Sequence, residues 1–432
     1  MSDAMIREGK EVLQALSDAG YEAYFVGGCV RDSLFGRPLK DIDIATSALP
    51  DEVMRLFART APTGLQHGTV TVIMRHHTFE VTTYRKESDY EQFRRPKQVE
   101  FISDLNEDLR RRDFTINAMA MSADGSVIDP FDGNGDLKAK RIRCVGDPLE
   151  RFQEDALRML RGIRFACEFG FEVEPDTWRG LTRHAPLLAH VAMERVSAEL
   201  DKMIEGRAPD RAVRLLIESG LPPYFKQPVD WPLSHWRHCP EAFEREPLAQ
   251  VGEARLRWPA LFLLLEMTAK QAREAAKRLK FAGKKADFSV RLLEADSWMK
   301  QQLGAATAAE SGGDDDEQAG FALLAAFAVA FSKDVARDWL TLAPWQADLH
   351  SDEKLRHWAD QAGNWLDNVP VDSVGELEIN GSELAAELDK RAGPWLGQML
   401  QQLLGMVASR RVANERNALL QEAKKLEKQD LT

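Results

Sequence analysis

Two aspartates alternate with isoleucines in Lys40-Asp41-Ile42-Asp43-Ile44. Side chains in a strand point to opposite faces in turn. An extended segment therefore puts Asp41 and Asp43 on one face and Ile42 and Ile44 on the other. Two carboxylates this close repel each other unless a cation sits between them. Mg2+ suits that place: it is hard, and is usually held by one or two carboxylates plus substrate phosphates. A bare DxD also describes an exposed acidic strand face. Upstream, Gly27-Gly28-Cys29-Val30-Arg31-Asp32 reads as a strand that ends in two glycines and opens a helix. Glycines let backbone N–H groups approach a phosphate, a helix start adds positive potential, and Arg31 adds a charged donor. The two patterns in succession are far more specific than either alone. Glu80, on a nearby predicted strand, is either a third carboxylate or an ordinary surface residue.

Further along, Asp108-Leu109-Arg110-Arg111-Arg112-Asp113-Phe114-Thr115-Ile116-Asn117 sets three arginines beside acids and an amide. Arginine forks suit phosphate oxygens, while Asp and Asn suit sugar hydroxyls. The same run also fits a basic surface turn. Asp129-Pro130-Phe131-Asp132-Gly133 reads as a structured turn whose carboxylates are structural. The segment Arg151 to Arg158 reads as a helix carrying Glu154, Asp155 and Arg158. At helical spacing Asp155 and Arg158 are neighbours. They are either a surface ion pair or a base reader. Cytosine and adenine each present an amine donor beside a ring-nitrogen acceptor. A carboxylate and a guanidinium match that edge, whereas uracil and guanine would leave the charges mispaired.

These groups must be positioned by folded elements. AYFVGG and KDIDIAT read as strands, PDEVMRLFAR as a helix opened by Pro and acids. TVTVIMR and TFEVTTYR form a hairpin around Arg75–His76–His77. From about Leu149 the pattern turns helical almost throughout, so the expected class is α+β: a small mixed-sheet head followed by all-α segments. Gly304 to Gly320, with five carboxylates and no base, reads as a solvated loop or linker. His235, His238 and Cys239 lack a second ligand pair, so zinc is not expected.

GGCVRD, KDIDIAT, HGTV, RRDFTINAMA, DPFDG, EDALRMLRGIRFA and MERVSAEL follow in this order between about Tyr21 and Lys202. Together they resemble class II tRNA nucleotidyltransferases, the bacterial CCA-adding enzymes, in the poly(A) polymerase and DNA-polymerase-β-like superfamily. A weaker likeness reaches the C-terminus through Ile379-Asn380-Gly381-Ser382, Gly393 to Gly397 and Asn414-Glu415-Arg416. The resemblance implies a seahorse-like chain: nucleotidyltransferase head 1–146, helical neck 147–205 with the nucleotide-selecting motif, helical body 206–332 and tRNA-binding helical tail 333–432. It implies catalysis by Asp41 and Asp43, with Mg2+ on both; Glu80, from its place on the nearby strand, is the candidate third catalytic carboxylate. Triphosphate contacts would be Gly27, Gly28, Arg31, Arg111 and Arg112, and ribose contacts Asp113 and Asn117. Glu154, Asp155, Arg158 and Arg161 would bind the nucleotide, with Glu154 orienting Arg158. Glu194 and Arg195 would brace the neck. Tyr84 to Glu100 resembles the flexible loop of full CCA-adding enzymes. The implied activity is addition of CCA to tRNA from CTP and ATP. The rivals are a poly(A) polymerase, an enzyme adding only A or only CC, and a non-catalytic tRNA-binding protein. The metal-dependent phosphatase domain of some relatives is not expected.

The 432 residues carry 57 Lys and Arg against 69 Asp and Glu, a net charge of −12. Alone this counts against a strongly basic nucleic-acid binder. Local runs matter more: Lys270, Arg273, Lys277, Arg278, Lys280, Lys284 and Lys285, read as lying on one helix, surround a single acid, Glu274, and are the candidate tRNA contacts. Arg410, Arg411, Arg416, Lys424, Lys425 and Lys428 form a second, weaker run. Cys29, Cys144, Cys167 and Cys239 form no CxxC pair, which points to a reducing compartment. The N-terminus lacks a signal peptide's apolar core, and the apolar run Ala319 to Phe331 is too short to span a membrane, which takes about 20 residues. The expectation is a cytoplasmic enzyme with no membrane association and no obligatory protein partner.

Overall fold

The computed structural model describes residues 2–91, 95–229, 247–306 and 315–429. The chain divides into two compact units, Met1–Asp230 with Arg278–Lys280, and Trp231–Lys277 with Phe281–Thr432. Every strand among the described residues lies in the first unit, and the second is helical. The zinc question at His235, His238 and Cys239 falls outside the described residues.

The first unit is built on a seven-stranded sheet. Its strands are β1 (Ala23–Val26), β2 (Asp43–Thr46), β3 (Thr60–Gly64), β4 (Thr69–Ile73), β5 (Thr78–Thr83), and the short β8 (Ala120–Met121) and β9 (Val127–Ile128). They run in the order β3-β4-β5-β2-β1-β8-β9. Only β2 and β5 pair in parallel, with Asp43 opposite Glu80. The β4–β5 hairpin forms as its sequence predicts. Helix α1 (Ser2–Asp18) packs Val12, Leu13 and Leu16 into one core with Phe25, Ile44, Phe79 and Val81. Alternation along β2 explains why: Ile42 and Ile44 are 3% and 0% exposed, and the aspartates face away. A second cluster on the sheet joins Val26, Ala45 and Ala120 to Tyr84, Leu105 and Leu109. Leu105 and Leu109 come from α4 (Leu105–Arg110).

Within Tyr84 to Glu100, β6 (Arg85–Glu91) and β7 (Arg95–Phe101) form a separate antiparallel ribbon. Two sequence expectations are corrected. Gly304 to Gly320 is not all loop: one helix runs Gly283–Ala306 and the next begins at Asp315, and 307–314 lie outside the described residues. The basic run is not one helix. A first helix spans Ala269–Arg278, Lys280 adopts a left-handed conformation (φ 58°), and Lys284 and Lys285 begin the next helix.

Behind the sheet, α6 (Pro148–Glu154) and α7 (Leu157–Phe169) are followed by α8 (Pro175–Arg183), α9 (Met193–Ile204) and α10 (Pro209–Ser219). A rosette of rings joins α7 to α2 (Gly28–Leu34). Phe35 meets Phe169 and Phe171 edge-on at 6.3 and 5.3 Å, and the Arg31 guanidinium lies 4.5 Å from the Phe169 ring centre.

Helix α1 is clasped to the β4–β5 turn by one carboxylate. Glu8 accepts hydrogen bonds from the backbone N–H groups of His76 (3.3 Å) and His77 (3.1 Å). Their Nδ1 atoms lie 2.8 and 3.1 Å from its oxygens. Burial alone would raise the Glu8 pKa, but these bonds together lower it from 4.5 to about 2. The folded value lies below the ordinary one, so the clasp stabilises fully above pH 4.5 and is lost as pH falls towards about 2. Thermal melts of the wild type should therefore lose stability across that window, and Glu8→Gln should flatten the decline. Parallel pH profiles would count against the clasp.

Candidate active site

The acidic edge of the site lies where β2 begins. Asp41 precedes the strand, Asp43 is its first residue, and Glu80 stands opposite on β5. The pKa of Asp43 is raised to about 6, first by burial and then by the negative charges of Asp41 and Glu80, against a smaller opposite effect of Arg112. A divalent cation relieves that repulsion, and hard carboxylate oxygens suit one. No group of three or more metal-ligating side chains converges among the described residues. The fit is therefore to a metal held by two carboxylates and completed by substrate oxygens.

The cationic edge is organised by Asp108, 1% exposed within α4. Its Oδ1 accepts from Arg111 Nε (3.0 Å) and from the Arg85 backbone N–H (3.2 Å), and its Oδ2 from Arg112 Nη2 (3.4 Å). Burial would raise the Asp108 pKa, but Arg111 and Arg112 outweigh it and keep the group below the usual range. Sequence reasoning gave Asp108 no role, since only the fold brings its partners together. Arg112 Nε is buried and has no hydrogen-bond partner. An unpaired buried donor is costly, and this guanidinium lies beside Gly27. Gly27 has φ 74°, and a Cβ there would sit 2.8 Å from Arg112 Nη1. This position needs glycine both for its backbone and for the approach of the arginine. Arg31, expected as a phosphate donor, is held here among protein partners. It is 7% exposed, bonded twice to Asp32 at 2.9 Å and once to Asn117 Oδ1 at 2.6 Å.

The helix expected over Arg151 to Arg158 is broken. α6 stops at Glu154, Asp155 is extended (φ −140°, ψ 104°), and α7 begins at Leu157. Asp155 does not pair with Arg158 through helical spacing. Its Oδ1 accepts from the Leu157 N–H at the start of α7 (3.1 Å), and its Oδ2 from Arg195 Nη2 (2.8 Å). Arg195, expected only as a brace, thus holds the aspartate directly. Arg158 Nη1 donates to Glu154 (2.8 Å) and Nη2 to the Arg111 carbonyl (2.7 Å). Asp113 joins Asn117 (3.1 Å) and Arg161 (2.7 Å). The Asp129-to-Gly133 turn is structural: Asp129 accepts the Gly133 and Asn134 N–H groups, and a Cβ on Gly133 would lie 2.2 Å from the Thr115 carbonyl.

In the second unit Lys270, Arg273 and Lys277 lie on the outside of Ala269–Arg278, with Ala272, Ala275 and Ala276 buried beneath. Lys284 is exposed at the start of the next helix. Arg273 pairs with Glu294 (3.2 Å), and the Lys285 ammonium sits 4.7 Å from the Phe281 ring centre. Lys280 is exposed, and Arg278 donates to the Pro228 carbonyl (2.7 Å). The weaker terminal run is partly committed within the chain: Arg410 donates to the Asn368 carbonyl (2.8 Å) and Arg416 to Glu387 (2.9 Å). Burial raises Cys29 to about 11 and Cys144 and Cys167 to about 12, so these thiols are inert at neutral pH.

Comparison with known proteins follows the same lines. A family model described as the poly A polymerase head domain matches residues 23–143. One described as a probable RNA and SrmB-binding site of polymerase A matches 170–228, and one for tRNA nucleotidyltransferase domain 2 matches 325–423. The chain is 39% identical to the CCA-adding enzyme of Bacillus subtilis (strain 168), over 94% of each chain. It is 35% identical to that of Geobacillus stearothermophilus, over 96% of this chain and 95% of the relative. Its structure is similar to the crystal structure of the Bacillus stearothermophilus CCA-adding enzyme in complex with CTP. That match has a TM-score of 0.81 at 32% identity and covers 98% of each chain.

The glycine requirement is testable. Gly27→Ala should destabilise the protein by about 1–3 kcal/mol through backbone strain. Gly252→Ala, where a Cβ meets nothing within 4 Å, is the control and should leave chemical denaturation unchanged. Equal midpoints for the two variants would contradict the geometry.

Proposed function

The chain belongs to the class II CCA-adding enzyme family, and on that premise we propose how its residues carry out the family's reaction. It adds C, C and A to the 3′ end of tRNA from CTP and ATP, without a nucleic-acid template. The observation that carries the residue assignments is the bond from Arg158 to the Arg111 carbonyl. It ties the base-reading guanidinium to the same short segment that presents Arg111 and Arg112.

The terminal 3′-hydroxyl attacks the α-phosphate in line, and pyrophosphate leaves. Asp41 and Asp43 would hold a divalent metal, Mg2+ in our reading, which when bound supplies Lewis-acid polarisation and offsets phosphate charge. Glu80 adds to the negative field at Asp43. Arg111 and Arg112 bind the triphosphate, and Gly27 and Gly28 let it approach the backbone. Arg31, buried against Asp32 and Asn117, supports this wall from behind. Asp155 accepts from the exocyclic amine and Arg158, aligned by Glu154, donates to the ring nitrogen. Both C and A satisfy that pair, whereas U and G leave it mispaired. Asn117 and Arg161 serve the sugar side. Lys270, Arg273, Lys277 and Lys284 contact tRNA phosphates. Functionally the chain divides into the head 1–146, neck 147–205, body 206–332 and tail 333–432. Since tRNA is the substrate, the enzyme works in the cytoplasm.

The decisive assay supplies tRNA lacking its 3′ CCA with CTP, ATP or both. The wild type should add CC with CTP alone and complete CCA with both. Long A tails on unrelated RNA, without C, would show a poly(A) polymerase instead. In the same assay Asp155→Ala or Arg158→Ala should admit UTP or GTP, or lose incorporation; intact discrimination would remove the base-reading assignment. Lys270→Glu, Lys277→Glu and Lys284→Glu should each weaken tRNA binding and make the slope of log affinity against log salt shallower by about one. An unchanged salt slope would place the tRNA elsewhere.

A further inference from the structure

One basic edge of the first unit takes no part in the nucleotide site. Helix α5 (Gly133–Lys138) ends in Lys138, and the chain continues through Ala139, Lys140 and Arg141 into β10 (Arg141–Ile142). All four of these residues are exposed, and none is an acid. β10 pairs in parallel with β11 (Glu172–Val173), setting Arg141 opposite Glu172. The Lys140 carbonyl accepts the Glu172 N–H (2.9 Å). Beside it, the Phe35 ring lies 5.3 Å from that of Phe171, and Arg37 sits 4.8 Å over Phe169. Packing thus gathers Arg37, Lys138, Lys140 and Arg141 where α7 ends and β11 begins.

The acids here are already matched. Buried Asp136 takes Arg143 (2.7 Å) and lies 3.8 Å from Arg141. Glu172 pairs with Arg211 (2.7 Å), and Glu168 with Arg164 (3.0 Å) and Arg37 (3.5 Å). Among the described residues neither Lys138 nor Lys140 has a side-chain partner. Lys140 is also strained: its φ of 54° is the left-handed conformation that favours glycine just past a helix end. Lys138 alone would satisfy the negative end of α5, so the helix does not call for a lysine at the strained position. Lys280, exposed in the other basic run, stands in the same conformation (φ 58°) after its own helix.

We propose that Lys138, Lys140 and Arg141 form a phosphate-binding edge that holds the double-stranded acceptor stem of tRNA while its 3′ end occupies the site. α7 supplies the spacing. Its 13 residues separate Asp155, just before its start, from Phe169 at its end, about 20 Å at helical rise. That is the length of roughly six stacked base pairs. Free lysines with no acid of their own to meet suit a polyanion, even in a chain of net charge −12.

This inference rests on the CCA-adding reading, and the experiment separates the two. Binding of tRNA lacking CCA, and of a hairpin made of its acceptor stem, is measured across salt concentrations with the full-length protein. The variants are Lys138→Glu/Lys140→Glu, Lys140→Gly and, as control, Lys10→Glu, exposed on α1. The double variant should bind both RNAs about tenfold or more weakly and make the slope of log affinity against log salt shallower by about two. At saturating tRNA its kcat and its KM for CTP should match wild type. Lys140→Gly should lose about one from the slope while keeping or raising Tm, a combination that a purely structural lysine would not give. Unchanged slopes, or equal weakening by Lys10→Glu, overturn the proposal. So does weakening seen with whole tRNA but not with the hairpin, which places another arm here, or a raised KM for CTP at saturating tRNA. A wild type that binds tRNA but adds no nucleotide overturns the transfer reading, while the salt slopes still decide this edge.

Discussion

A charge can be buried in a protein only if it is paired, and the organisation of the first unit follows from meeting that condition. Arg31, Asp108, Asp113, Arg158 and Arg164 are all less than a tenth exposed. Each is matched: Arg31 to Asp32, Asp108 to Arg111 and Arg112, Asp113 to Arg161, Arg158 to Glu154, and Arg164 to Glu199. These pairs cross from loop to helix, from α6 to α7 and from α7 to α9. They leave little freedom in where a guanidinium can point. Unlike a surface ion pair, which is worth little, a buried one fixes direction because any rotation strands a charge.

The carboxylates of the site fall into two populations with opposite environments. Asp108 and Asp113 are surrounded by arginines and held below the usual range. Asp43 is held above it, first by burial and then by the neighbouring carboxylates Asp41 and Glu80. The first group is neutralised by the protein itself. The second is left under-neutralised, which is what an exogenous cation requires.

Alternation and turn chemistry made the sheet legible in advance. Ile42 and Ile44 pointed β2 inward, the β-branched runs defined β4 and β5, and the glycine pair marked the entry to α2. The helical remainder was legible from periodicity. What could not be read was set by contacts distant in sequence. The helix break at Asp155 has no Pro or Gly to announce it; a tertiary bond to Arg195 on α9 supports it instead. The committed state of Arg31 depends on Asn117, 86 residues away. The β6–β7 ribbon was missed because its polar, charged sequence lacks the apolar alternation of a half-buried strand. The basic run looked like one helix because no residue type forbids it, although Lys280 turns left-handed and splits it.

The break between α6 and α7 has a consequence for which amino acids can stand at position 155. The residue must reach back over a very short span to accept the Leu157 N–H, a task suited to Asp, Asn, Ser and Thr. It must also accept a bond from Arg195 and, in the proposed reading, from a nucleobase amine, so it must be all acceptor, which leaves Asp and Glu. The two short alphabets share one letter. Aspartate at this site is thus determined twice over, once by the geometry of the chain and once by the chemistry of the base. Changing the base read here would mean rebuilding the start of α7 as well as the pocket.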